Sequence, residues 1–436
     1  MKDQLYNELL EKISSLPVID THEHLSSVEP EEDPDKDILR EYLSHYMSSD
    51  LVSAGLSPAD LERVRDPAVP IRKRWKIVEP FWEYCRYGGY GRALDISVKK
   101  LYGADSINGR TIEQLNTDFR KKNKPGHYRH VLEDLCGIKV CILDAWDGRF
   151  DCDGTLYRRV WQILNYIIPM PEEIPHGCPD AVSWIENEYR IKIRTLDDWM
   201  EAFRLELEDA LSHGIAGIKN ILAYFRTLYF ESVDYKTAKK EFESDFRRWE
   251  NSGGRSRRNI RLSREVQDFM MHHILSVMNE KHLVLQVHTG LLEGKEADIA
   301  RTNPVLMCSL FSKYPDVTFD LFHIGYPYYT ETSALAKMFP NVFIDMCWSH
   351  IISPHGARAA LREFLDSVPY NKISAFGGDY IFPDGIYGHL TIARDNIAKV
   401  LKNKIMEGIY TFDKAVDIAD HIFYKNPMNI LKLTDP

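Results

Sequence analysis

Eight short apolar runs, most of them separated by helical periodicity, constrain this chain more than any other feature. The first is Val18-Ile19, and the others span 138–143, 163–168, 215–222, 283–287, 318–322, 342–346 and 372–376. Amphipathic helical patterns fall between them at 195–212, 266–279, 303–314, 331–339 and 357–367. Thr195 or Asp197 is a natural N-cap for the first of these helices, and Gly214 stands just past its end. Strands that alternate with helices pair in parallel through crossover connections. Eight of them predict an α/β fold, a (β/α)₈ TIM barrel. An open doubly wound sheet is the alternative, but no glycine-rich phosphate turn follows the first run.

The 436 residues then read as one barrel domain carrying helical insertions after strands 1 and 4. A plain barrel needs about 250 residues; an insertion over about 26–135 and a smaller one over about 225–262 supply the difference. The first begins acidic and turn-rich (Glu29-Pro30-Glu31-Glu32-Asp33-Pro34) and continues as helices at 38–46 and 72–84. Its stretch 81–92 is dense in aromatic residues, Arg and Gly. That composition suits either a packed helix end or a lid that brings Arg86 or Arg92 over the barrel mouth.

A net charge of −10 argues against a nucleic-acid partner, whose binders carry a basic footprint. Seven cysteines, an odd number without a C-x-x-C pair, suit a reduced cytoplasmic setting. The N-terminus lacks an apolar signal core and no run approaches 18 apolar residues, so no membrane partner is expected. The expected partner is a small-molecule substrate, and a homo-oligomer is compatible with the composition.

Chemistry in such barrels sits at the C-terminal ends of the strands. Val18-Ile19-Asp20-Thr21-His22-Glu23-His24 places His22 and His24 on one face of an extended segment. Lys219 lies on strand 4, His288 ends strand 5, His323 ends strand 6, and Asp379 follows strand 8. One histidine at a strand end is ordinarily a hydrogen-bonded core residue. Imidazoles and a carboxylate on one rim are a ligand set for a divalent metal, Zn²⁺ first and Fe²⁺ or Mn²⁺ also suited. The strand-7 loop supplies Trp348, His350 and His355 as further candidates on that rim. His127, His130, His213, His272 and His273 read as solvated surface residues.

These motifs, with Gln286-Val287-His288-Thr289-Gly290, Leu321-Phe322-His323 and Phe376-Gly377-Gly378-Asp379, resemble the amidohydrolase superfamily. Residues 217–224 (Gly-Ile-Lys-Asn-Ile-Leu-Ala-Tyr), Tyr326-Pro327-Tyr328 and the Arg/Gly/aromatic stretch narrow the resemblance. They are similar to the "amidohydrolase 2" branch, which includes TIM-barrel metal hydrolases and the amidohydrolase-like half of nodulin/glutamine-synthetase fusions. One departure is Phe225, which stands where that branch usually has Arg; Arg226 comes one position later.

The resemblance implies that His22, His24 and Asp379 hold the metal, with His288 a ligand of that ion or of a second one. It implies that His323 polarises a substrate carbonyl or orients the nucleophile. Asp379 would relay the proton of a metal-activated water. Lys219 would meet a substrate carboxylate, stay structural, or bridge two ions as a carboxylated lysine. Arg86, Arg92 and Trp348 are the other expected substrate contacts. The implied activity is hydrolysis of an amide, ester or lactone in a small carboxylate-bearing molecule. A decarboxylase or a uronate-isomerase-like sugar-acid isomerase is the alternative on the same site. A scaffold without turnover is disfavoured, because a decayed site would have lost a ligand.

Overall fold

The computed structural model describes residues 2–27, 29, 35–144, 150, 152, 154–169, 180–253, 259–294 and 297–434. Most of the acidic run at 29–34, Cys178 and residues 254–258 of the second insertion lie outside them.

Eight parallel strands form one sheet in sequence order: β1 (Val18–Glu23), β2 (Ile138–Leu143), β3 (Tyr157–Gln162), β4 (Gly217–Asn220), β5 (Val284–Val287), β6 (Thr318–Leu321), β7 (Val342–Asp345) and β8 (Ile373–Ser374). The sheet closes on itself because the chain beyond β8 bonds to β1. Thr21 N–H donates to the Phe376 carbonyl (3.1 Å), Asp379 N–H to His22 (2.8 Å) and His24 N–H to Tyr380 (2.9 Å). The fold is a (β/α)₈ TIM barrel. Ile19, Val140, Ile142, Val160, Ala216 and Val284 pack with Met428 and Leu431 into an apolar plug. That plug takes the apolar side chains of the lumen and leaves the C-terminal strand ends to polar ones. No helix of the described residues is long and apolar enough to cross a membrane.

One strand and one histidine depart from the sequence expectation. The third strand is Tyr157–Gln162, not 163–168, where a short helix Leu164–Ile167 stands instead. The strand carries charge on its outer side, with Arg159 buried against Ser27 Oγ at 2.7 Å, so it lacks the apolar signature. The 163–168 run is apolar because Tyr166 packs against Trp199 and Phe203 at 5.2 and 5.4 Å. His127 is also not a solvated surface residue. It is buried, and its Nε2 lies 2.6 Å from Asp384 Oδ1.

The Thr195 hydroxyl caps the helix Leu196–Ser212 and Asp198 bonds back, a reciprocal capping box. The helix Tyr235–Asn251, between β4 and β5, packs Phe242 toward Trp199 at 6.3 Å.

Between β1 and β2 the chain builds a helical layer that includes Tyr46–Ser53, Ile71–Cys85 and Gly89–Tyr102. Arg74 pairs with Asp37 through two contacts of 2.6 and 3.1 Å in its interior. The layer is fastened to the helix Pro383–Met406 after β8. Asp384 accepts from Tyr42 (2.7 Å) and Tyr102 (2.6 Å) as well as facing His127. Gly89 rests directly on the loop after β7: a Cβ there would stand 1.9 Å from the Ile351 carbonyl oxygen. Ala in place of Gly gains up to about 1 kcal/mol of helix propensity, whereas overpacking against backbone costs about 1–3 kcal/mol. Gly89→Ala is therefore expected to lower the melting temperature. An unchanged or raised value in thermal denaturation would show that this seat yields freely.

Candidate metal centre

The rim residues converge. His22 and His24 leave the end of β1 with ring centroids 4.8 Å apart. Their Nε2 atoms lie 3.7 and 3.2 Å from Asp379 Oδ1, and His323 Nε2 lies 3.8 Å from Asp379 Oδ2. His323 Nε2 is in turn 3.1 Å from His288 Nδ1. Donor atoms held about 2.0–2.2 Å from a common ion are spaced on this scale.

Neighbouring carbonyls orient the rings. His24 Nδ1 donates to the Asp144 carbonyl (2.8 Å), His323 Nδ1 to Cys347 (3.1 Å) and His288 Nε2 to Leu291 (2.9 Å). A carbonyl can only accept, so each of those nitrogens bears the hydrogen, and in a neutral ring such as His288 or His323 the other keeps its lone pair. The lone pairs of His288 Nδ1 and His323 Nε2 consequently face each other, an arrangement that a shared cation relieves. The donor set fits a divalent metal, and such backbone partners are what ligating histidines ordinarily have. His22 differs, since its buried Nδ1 has no hydrogen-bond partner among the described residues.

Asp379 itself is held in the left-handed region, at φ 59°. For a non-glycine residue this costs on the order of 1–3 kcal/mol, so the surroundings must impose it. Asp20 Oδ1 accepts from Gly378 N–H (3.0 Å), Glu23 Oε2 from Tyr380 N–H (2.7 Å), and the Tyr46 hydroxyl donates to the Asp379 carbonyl (2.5 Å). The two acidic residues interspersed in the first motif thus position the carboxylate of the last.

Burial holds His22 and His288 well below the usual histidine range, helped by Lys219 beside the first and His323 beside the second. Burial brings His323 down to about 4. These imidazoles are neutral near pH 7, as ligands must be. Burial also opposes a charge on His24, but the Asp379 hydrogen bond and charge outweigh it and raise its pKa. Asp379 sits well below the carboxylate range, because the His24 hydrogen bond and the surrounding imidazoles overcome its burial. Burial pushes Asp20 up to about 7 and Glu23, beside Asp20, well above its usual range.

Lys219 is buried, with Nζ 3.4 Å from His22 Nε2 and 3.7 Å from the centre of the Phe322 ring. Trp348 lies on the rim, edge-on to His323 at 5.2 Å and stacked on Tyr46 at 4.5 Å. Arg86 is engaged with Glu83 (3.3 Å) and Asp95 (3.4 Å), and Arg92 is exposed; neither has a contact with the histidine cluster. His350 is buried with Nε2 on the Ala375 carbonyl (3.0 Å), and His355 is exposed on a helix. Arg226 is spent on Asp268 and on Gln267 at 2.9 Å.

Sequence reasoning passed over four residues at this rim. Cys347 forms a group with His323 and Asp379 whose ligand-type atoms all lie within 4.8 Å. Its place directly beyond β7 was the available signal. Tyr224 (ring 4.6 Å from His288) closes the 217–224 motif, which was its signal, whereas Tyr46 and His45 carry no local signature, since their place depends on the insertion.

Residues 182–433 match a family model described as Amidohydrolase. Protein fluG of Emericella nidulans is 24% identical over 341 residues, covering 76% of this chain and 39% of that protein. The chain thus spans about two fifths of that relative's length. Uronate isomerase of a Thermotoga strain is 22% identical over 479 residues, covering 98% of this chain and 96% of the relative. The crystal structure of uronate isomerase from Thermotoga maritima shares the fold with a TM-score of 0.77 at 17% identity, covering 98% of this chain and 97% of that one.

Proposed function

Since the chain belongs to the amidohydrolase family, whose model spans more than half of it, we propose that it is a metal-dependent hydrolase of an amide, ester or lactone bond in a small, carboxylate-bearing molecule. One observation carries this reading: Asp379 and the neutral His323 stand 3.8 Å apart at the edge of the converging imidazoles. His22, His24 and Asp379 would hold one ion, with His288 as a further ligand. A divalent ion there, Zn²⁺ by preference, supplies Lewis acidity and lowers the pKa of water toward neutrality.

The chain's own groups do the rest. Asp379 accepts the proton of the attacking water and returns it to the leaving group. His323, its Nδ1 hydrogen committed to the Cys347 carbonyl, offers the Nε2 lone pair to a hydrogen of the attacking water and so orients the nucleophile. Trp348, with Tyr46 and Tyr90 stacked beside it, excludes bulk water. Lys219 meets the substrate carboxylate in preference to Arg86, which is engaged with Glu83 and Asp95, or Arg92, which is exposed. A cytoplasmic setting suits the cysteines, of which Cys85, Cys136, Cys141, Cys152, Cys308 and Cys347 are free thiols.

Isomerisation of a sugar acid is the second reading. It is favoured by the likeness to uronate isomerases over 98% of the chain, insertion included. Product mass separates the two. Metal-loaded protein incubated in ¹⁸O water with a panel of hydroxy-acid lactones, N-acyl amino acids and uronates should yield either one product heavier by a labelled water, from a lactone, or two fragments whose masses sum to substrate plus one labelled water, from an amide. A product of unchanged mass would sink the hydrolase reading in favour of the isomerase.

A further inference from the structure

The insertion contributes one group to the rim that the chemistry above does not employ. His45 precedes the helix Tyr46–Ser53, with its ring 3.8 Å from that of Tyr46 and 6.0 Å from that of Tyr380. Tyr46 bonds to the Asp379 carbonyl and stacks on Trp348, which abuts His323. His45 therefore sits one ring, Tyr46, away from Asp379 and two rings, Tyr46 and Trp348, away from His323. Unlike Tyr46, Tyr90 and Trp348 it keeps some exposure, while its Nδ1 is buried with no hydrogen-bond partner among the described residues. Every imidazole of the cluster except His22 has a ring nitrogen tied to a backbone carbonyl; His45 has none. A buried polar atom left unpaired beside a reaction centre is unfavourable until a partner arrives. Burial brings its pKa down to about 3, so it meets that partner as a neutral imidazole.

We propose that His45 is a substrate-contacting residue whose ring nitrogen hydrogen-bonds a hydroxyl of a small hydroxylated carbonyl compound at the metal centre. The inference rests on the metal-centre reading above and adds that the substrate is hydroxylated. It applies equally to hydrolysis of a hydroxy-acid derivative and to isomerisation of a sugar acid.

Two probes test it: acetohydroxamate and glycolohydroxamate, metal-chelating molecules that differ by one hydroxyl. Protein stripped of metal and reloaded with Co²⁺ is titrated with each, following the visible cobalt bands. Wild type should bind glycolohydroxamate about tenfold more tightly, the worth of one hydrogen bond. His45→Phe, which keeps a stacking ring, should bind acetohydroxamate as wild type does and lose the preference. His45→Gln should restore part of it, and thermal denaturation verifies that both variants fold. An undiminished preference in His45→Phe overturns the contact, as does equal binding of both probes by wild type. If neither probe perturbs the cobalt bands of wild type, the metal-centre reading fails and the contact falls with it.

Discussion

The double variant His22→Ala/His24→Ala is expected to purify as a folded protein without bound transition metal. Both imidazoles present Nε2 to the same oxygen of Asp379, at 3.7 and 3.2 Å, and together they form half of the proposed ligand set. Loss of a partner outside a ligand set already costs 10–100-fold in metal affinity, so loss of two ligands should weaken binding by more than about 10²-fold. The fold should persist, because the contacts that close the barrel beside these residues run through backbone groups: His22 carbonyl to Asp379 N–H, and His24 N–H to the Tyr380 carbonyl. Elemental analysis paired with a melting curve reads the outcome. Full metal occupancy in the double variant would remove His22 and His24 from the site.

The second large effect concerns Asp379→Asn. Asparagine keeps the shape and one ligand oxygen, and it tolerates the left-handed backbone better than other non-glycine residues, so φ 59° at this position is not a barrier to folding. It cannot accept a proton as the carboxylate does. Metal should be largely retained while turnover falls by the 10²–10⁴-fold typical of a lost general acid–base group. The surroundings favour that division of effects. Asp20 and Glu23 grip the backbone on either side of residue 379, and Tyr46 grips its carbonyl, so the side chain can change without releasing the turn. Near-wild-type kcat in metal-loaded Asp379→Asn would assign the proton to another group, His323 being the nearest histidine on the Oδ2 side.

Much of this site is legible in the sequence because barrel geometry turns chain position into spatial position. A residue at the C-terminal end of a strand must lie on the rim, so chain position alone groups His22, His24, Lys219, His288, His323 and Asp379. Apolar patterning, by contrast, misplaces the third strand. Tyr157–Gln162 is built around two arginines and carries no apolar run, whereas the apolar residues 163–168 belong to a short helix packed under Trp199 and Phe203. Periodicity reports which faces are buried and is silent about which strand an irregular segment will join.

What the sequence determined by itself was the barrel and the identity of its rim, since both follow from local patterns repeated along the chain. What the tertiary structure decided was every relation between residues far apart. It brought Glu23 within 2.7 Å of the Tyr380 amide, and paired His127 with Asp384, although both histidine and aspartate look like surface residues in isolation. It turned Arg86 to Asp95 on the next helix, while His45 and Tyr46 reached the rim in its place. Such pairings depend on how an insertion of several helices docks. Docking is set by single close approaches, such as Gly89 on the Ile351 carbonyl and the Asp384 cluster, that leave no periodic trace in the chain.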